Sequence, residues 1–179
     1  KLDLVLTLVG DQGTGKSTFV KKLGKQWFSD TFITVQGKEA FEQIQGAWII
    51  EMAELSGLRQ AEVETIKQFI SKCEDMFRPA YGHVIETYKR QCVFCGTTNN
   101  KDFLRDPTGN RRFMPISINF GAATKNIFTD FNEHEVDNVW AEAYQLYLSG
   151  EKLYLSPDEE MLAKVEQSKH SEVDERKGI

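Results

Sequence analysis

The chain is 179 residues long and carries 22 basic against 27 acidic side chains, a net charge of −5. Its 40% hydrophobic and 27% charged residues are ordinary for a folded globular chain and exclude a fibre or a disordered tail. No apolar run approaches the ~20 residues of a membrane-spanning helix, and no secretory leader opens the chain. Three cysteines, Cys73, Cys92 and Cys95, are too few for a disulfide framework, so a reducing, cytoplasmic setting without a membrane partner is expected. The acidic balance argues at first against a nucleic-acid partner. Because Lys1 replaces an initiating Met and a strand-like run begins at Leu2, we read the chain as a portion of a longer protein. It is expected to be one domain over 1–179, with a main core over 1–132 and a helical part over 133–179.

In chain order, Leu4 to Val9 is nearly continuous apolar and β-branched sequence that stops at Gly10, the pattern of a strand buried on both faces. Ser17 to Lys25 places Phe19, Val20 and Leu23 at helical spacing. Ile33-Thr34-Val35 reads as a short strand and Glu39 to Gln45 as a short helix. Trp48 to Met52 is a second buried strand ending in acid, and Gln60 to Lys72 an amphipathic helix. Phe77 to Tyr88, with Pro79, Gly82 and alternating Val84, Glu86 and Tyr88, predicts a β-hairpin. Gln91 to Gly96 and Phe113 to Ile118 complete the strands. Val136, Val139, Trp140, Ala143, Leu146 and Tyr147 form one apolar helical face ending at Gly150. Ser156-Pro157-Asp158-Glu159 predicts a capping-box helix start, and the last ten residues read as frayed. Strands alternating with helices predict an α/β fold with a parallel sheet flanked by helices, a β-hairpin insertion and C-terminal helices.

Gly10-Asp11-Gln12-Gly13-Thr14-Gly15-Lys16-Ser17 fits G-x-x-x-x-G-K-[ST]. Glycines let the backbone turn tightly enough for several N–H groups to face one phosphate, and the following helix aims its positive end at the anion. Lys16 is expected on the outer phosphates, the Ser17 hydroxyl on Mg²⁺, and Thr18 beside them in the ATP site. The motif follows a buried strand and opens an amphipathic helix, the context that distinguishes it from a glycine-rich turn that happens to contain lysine.

A phosphate loop of this kind needs an acid at the end of a neighbouring buried strand. Glu51 is expected to organise Mg²⁺, with Glu54 orienting the attacking water; either could instead be a surface acid. Asn99, at the end of the Thr97-Thr98-Asn99 strand tip, fits a sensor of the terminal phosphate or a turn asparagine. A guanine-selective N-K-x-D is not present. Cys92 and Cys95 sit within a strand and read as core packing rather than a zinc pair, and His134 and His170 as helix surface. Arg111 and Arg112, just before a strand, could serve a neighbouring subunit's phosphate site as an arginine finger, or form surface ion pairs. Residues 78–112 hold seven basic and three acidic side chains, +4 against −9 for the rest, which restores nucleic acid as a partner. Arg78, Tyr81, His83, Lys89 and Arg90 are the expected contacts, suited to backbone phosphates and base stacking.

The motifs at Gly10–Ser17, Trp48–Leu55, Phe77–Gly82, Gly96–Asn99 and Phe103–Phe113 together resemble the virulence-associated protein E family, P-loop ATPases of phages and mobile elements related to superfamily 3 helicases of the AAA+ class. The resemblance implies an ATPase core following a primase or other replication region, and rings, often hexamers, with a β-hairpin gripping DNA. It places the arginine finger at Arg112 best, with Arg111 next. The spacing of Glu51 and Glu54 departs from that superfamily's adjacent acids. Two other functions fit the phosphate loop: a monomeric small-molecule or nucleotide kinase, and a weakly hydrolysing ATP-gated assembly switch.

Overall fold

Apolar runs buried on both faces belong in the middle of a parallel sheet. The structure, a computed structural model describing residues 3–53, 60–104 and 110–171, gathers five strands into such a sheet. They are β1 (Val5–Val9), β2 (Phe28–Ser29), β3 (Ile49–Ala53), β6 (Val93–Thr98) and β7 (Phe113–Ser117). β4 (Glu74–Phe77) and β5 (Glu86–Lys89) form a separate antiparallel hairpin. The spatial order is β2-β3-β6-β1-β7, with all neighbours parallel. β6 therefore lies between β1 and β3, so three strand tips converge on one edge. Order reversal around the first strand creates a crevice at the carboxyl ends of the strands, where ligands of open α/β sheets bind.

The helices are α1 (Lys16–Gly24), α2 (Glu39–Glu42), α3 (Gln60–Ser71), α4 (Glu133–Leu148) and α5 (Pro157–Lys169). One sheet face packs Val5, Val9, Ile50, Met52 and Phe94 against Ala40, Ile44, Ile66, Phe69 and Ile70 of α2, α3 and their connections. On the opposite face, Leu8, Ile49 and Cys95 meet Val20, Phe19 and Leu23 of α1. Ser156 caps α5 with the full reciprocal box to Glu159, as its sequence predicts.

Two expectations are corrected. Residues 33–35 are not a strand; Ile33 is exposed, and β2 forms earlier because Gly24 lets the chain turn directly beneath α1. A Cβ at Gly24 would stand 2.7 Å from Phe28 Cβ, so glycine is what admits Phe28 to the sheet edge. His170 is buried, not on a helix surface: its Nδ1 lies 2.8 Å from the Lys101 carbonyl and its Nε2 3.2 Å from Ser117 Oγ. It ties the end of α5 to β7 and to the turn beyond β6. The frayed ending expected for the last ten residues falls largely on 172–179, outside the described residues.

The apolar face of α4 is only partly used. Val136 is buried, whereas Val139, Tyr144, Leu146 and Tyr147 are exposed in the isolated chain. Its first turns are held by a Lys25–Asp137 ion pair and by Trp140, whose indole Nε1 donates to the Leu23 carbonyl at 2.9 Å. Trp140 meets Trp48 edge-on at 6.5 Å, and Trp48 stacks on Trp27 at 4.2 Å.

Candidate phosphate and nucleotide site

β1 ends where Gly10 N donates to the Thr98 carbonyl and Ile118 N to the Val9 carbonyl, so the loop after it rises between the tips of β6 and β7. Gly13 and Gly15 hold φ of 82° and 84°, values that L side chains rarely adopt. A Cβ at Gly15 would also stand 2.5 Å from Ile127 Cγ2, so this position is closed to side chains twice over. Gly15 caps α1 without a side-chain bond and the first turn holds no acid, leaving the amino end of the helix to an anion.

Lys16 Nζ folds back over the loop. It donates to the carbonyls of Gly10 (2.7 Å) and Asp11 (2.8 Å), to Asn99 Oδ1 (2.9 Å) and, at 3.4 Å, to Thr14 Oγ1. Burial lowers its pKa from the ordinary lysine value, against an opposing pull from the Asp11 carboxylate. With Oδ1 of Asn99 on the lysine, the amide NH₂ of the same side chain remains a donor for a phosphate oxygen or a water. The alternative turn role falls to its neighbour: Asn100 Oδ1 accepts from Asp102 N, and Asn100 N donates to Thr98 Oγ1.

Glu51, on β3, is buried at 3% exposure, and its Oε1 accepts from both Ser17 Oγ and Thr97 Oγ1 at 2.6 Å. A hydroxyl and a carboxylate side by side, next to an anion-binding helix end, form a donor set suited to Mg²⁺, which takes few protein ligands and completes its shell with phosphate and water. Thr97, a buried residue given no role by its sequence position, holds the acid in place. Glu54 lies outside the described residues. Cys95, beside Glu51 in the strand register, is buried, and its thiol is pushed up to about 12 by desolvation and by the Glu51 charge. Among the described residues no group of three or more His, Cys, Asp or Glu could hold a metal ion by itself.

These side chains surround a cavity of about 320 Å³ lined by Gln12, Gly13, Gly15, Lys16, Ser17, Thr18, Ala53, Thr97, Thr98, Asn99 and Phe128. Phe128 had no sequence signal, because the 126–132 loop reaches the site only through tertiary contacts. Arg111 and Arg112 are elsewhere. They precede β7, whose Phe113 pairs with Val5 at the start of β1, so the length of β1, roughly 13 Å at 3.3 Å per residue, separates them from the loop. Arg111 is exposed; Arg112 is half-buried, its Nε donating to Ser71 Oγ at 2.9 Å.

The hairpin leaves this same amino edge of the sheet. Arg78, His83 and Lys89 are exposed on it, and Tyr81 is fully exposed with φ of 64°. Arg90 does not join them. Its side chain is 2% exposed, bonded to both oxygens of Asp75 and to the Phe69 carbonyl, and lies over the Phe69 ring at 4.3 Å. The expectation of a DNA contact at Arg90 is thereby corrected: a buried guanidinium paired with a fully buried carboxylate has no face left for a phosphate. The basic stretch loses one charge to Asp75, which lies just outside it in sequence.

The strand order, helices on both faces and glycine-rich turn at the carboxyl edge define an α/β nucleotide-binding-like fold. The virulence-associated protein E-like domain model matches residues 1–172, and the chain belongs to that family. The apo structure of the NrS-1 C-terminal region is similar at 19% identity and a TM-score of 0.56, covering 96% of this chain. A second apo structure of that region covers 98% of this chain at 19% identity and a TM-score of 0.49. The chain spans 44% and 41% of those two structures. No curated protein matches it. No helix among the described residues is long and apolar enough to cross a membrane.

Proposed function

We propose that the chain is the ATP-binding and ATP-hydrolysing motor of a phage or mobile-element DNA replication protein, working in the cytoplasm as a helicase-like ring. The observation that carries this reading is the convergence of Lys16, Asn99, Ser17 and Glu51 at one edge of the sheet, linked by hydrogen bonds of 2.6–2.9 Å. Family membership and the exposed hairpin support it.

In this reading Lys16 exchanges its loop carbonyls for the outer phosphate oxygens, and the α1 amides hold the inner ones. Ser17 and Glu51 would hold Mg²⁺, which supplies charge neutralisation at the phosphate oxygens. Asn99 directs its amide donors at the terminal phosphate or the attacking water, and Glu54 is the remaining acid for activating that water. Arg111 and Arg112 stand a strand's length from their own loop, so one of them acts on the site of a second copy. Arg78, Tyr81, His83 and Lys89 offer DNA a charged and aromatic hairpin.

The test is the ATPase rate with and without single-stranded DNA, read beside molecular mass with ATP present. DNA-stimulated turnover in a ring is expected. Turnover by a DNA-indifferent monomer would favour a kinase, and assembly without turnover a switch.

A further inference from the structure

The far side of the cavity is built by a loop that the phosphate chemistry does not use. Asn126 organises it: its Oδ1 accepts from Phe128 N at 2.8 Å and its carbonyl from Asp130 N at 2.9 Å, while its own N donates to Asp130 Oδ2 at 2.8 Å. Lys22 of α1 then fastens the loop, donating to the carbonyls of Ile127 (2.8 Å), Phe128 (3.2 Å) and Phe131 (2.7 Å). Phe131 stacks on Phe19 at 5.3 Å, and Ile127 is the side chain pressed against Gly15. Held this firmly, the loop still leaves Phe128 60% exposed at the cavity wall.

Position along the cavity gives that ring its partner. Lys16, Asn99 and Glu51 mark the end where outer phosphates and metal belong, Glu51 from the middle of β3 and Asn99 from just beyond the tip of β6. Phe128 stands on the opposite flank, against α1. A triphosphate with its terminal group at Lys16 runs across the helix end and carries whatever follows its first phosphate toward Phe128. An exposed aromatic face at that place is matched by the flat face of a nucleobase, which stacks on aromatic side chains with little regard to base identity.

We propose that Phe128 is the nucleobase platform of the site, held in place by the Lys22 clamp and the Asn126 turn. The inference rests on the nucleotide reading given above and adds to it the residue that separates a nucleotide from a bare polyphosphate.

Calorimetric titration of Mg²⁺-ATP and Mg²⁺-tripolyphosphate into the wild-type chain, Phe128→Ala and Phe128→Tyr tests it. The wild type should prefer ATP. Phe128→Ala should lose ATP affinity roughly tenfold or more, with tripolyphosphate affinity unchanged, and Phe128→Tyr should retain the preference. Equal losses for both ligands, an unchanged ATP affinity in Phe128→Ala, or a wild type without preference would overturn the platform while leaving the phosphate site standing. A wild type that binds neither ligand would overturn the nucleotide reading, and the platform with it.

Discussion

Burial and the Asp11 carboxylate act on Lys16 in opposite directions, and burial dominates, so its ammonium gives up its proton more readily than an exposed lysine would. Phosphate oxygens favour the charged form and raise the pKa again. Between the two values, binding must take up a proton, and nucleotide affinity must fall as pH rises, beginning below the ordinary lysine range. Calorimetry in alkaline buffers of different ionisation enthalpy should detect that uptake, and Lys16→Ala should abolish it together with measurable nucleotide binding. Proton-neutral binding at alkaline pH would contradict the account. The loop's geometry was legible in the sequence, because Gly13, Gly15, Lys16 and Ser17 lie in one contiguous string between a buried strand and a helix. Thr97 and Phe128 were not: one is the first of two adjacent threonines, with nothing in the string to say which faces Glu51, and the other reaches the cavity through Lys22, 106 residues before it in sequence.

The β4–β5 hairpin stands on a buried ion pair. Arg90 and Asp75 are almost wholly withdrawn from water, and Arg90 also bonds the last turn of α3 through the Phe69 carbonyl. Removing one partner leaves the other charged and unpaired, so Asp75→Ala should destabilise the fold by about 3–5 kcal/mol in urea denaturation. Replacing both, as Asp75→Leu with Arg90→Met, should cost less than the single change. A single substitution that is nearly neutral would mean the pair is hydrated in solution. Charge counting along the sequence predicted a DNA-facing Arg90 because a window has no knowledge of pairing: Asp75 lies opposite Tyr88 in the hairpin register and reaches across to Arg90. The same limit explains residues 33–35 and His170. Local pattern sees β-propensity and polarity, whereas Gly24 decides where the chain enters the sheet edge, and partners across the fold decide whether a histidine is covered. The capping box of α5 and the five sheet strands, apart from β2, were legible because short-range chemistry fixes them.

Across the whole molecule, the Gly10–Ser17 loop occupies one edge of the sheet and Arg111, Arg112 and the hairpin leave from the other. Such polarity suits head-to-tail assembly, in which one copy's amino edge meets the next copy's loop. If so, Lys16→Ala and an Arg111→Ala/Arg112→Ala chain, each inactive alone, should regain part of the turnover when mixed, since some interfaces then join an intact loop to intact arginines. The arginine variant should still bind ATP while turnover falls by on the order of 10³ or more. A mixture no more active than its components would exclude action between copies. The tryptophans add an optical consequence. All three, Trp27, Trp48 and Trp140, belong to one stack joining the end of α1, the start of β3 and α4. The tryptophan emission of the chain therefore comes from a single place, at the carboxyl end of α1 and away from the loop at its amino end. It reports whether α4 remains seated on the sheet, so any change in that emission on adding nucleotide would signal movement of α4 rather than a ligand beside the dye.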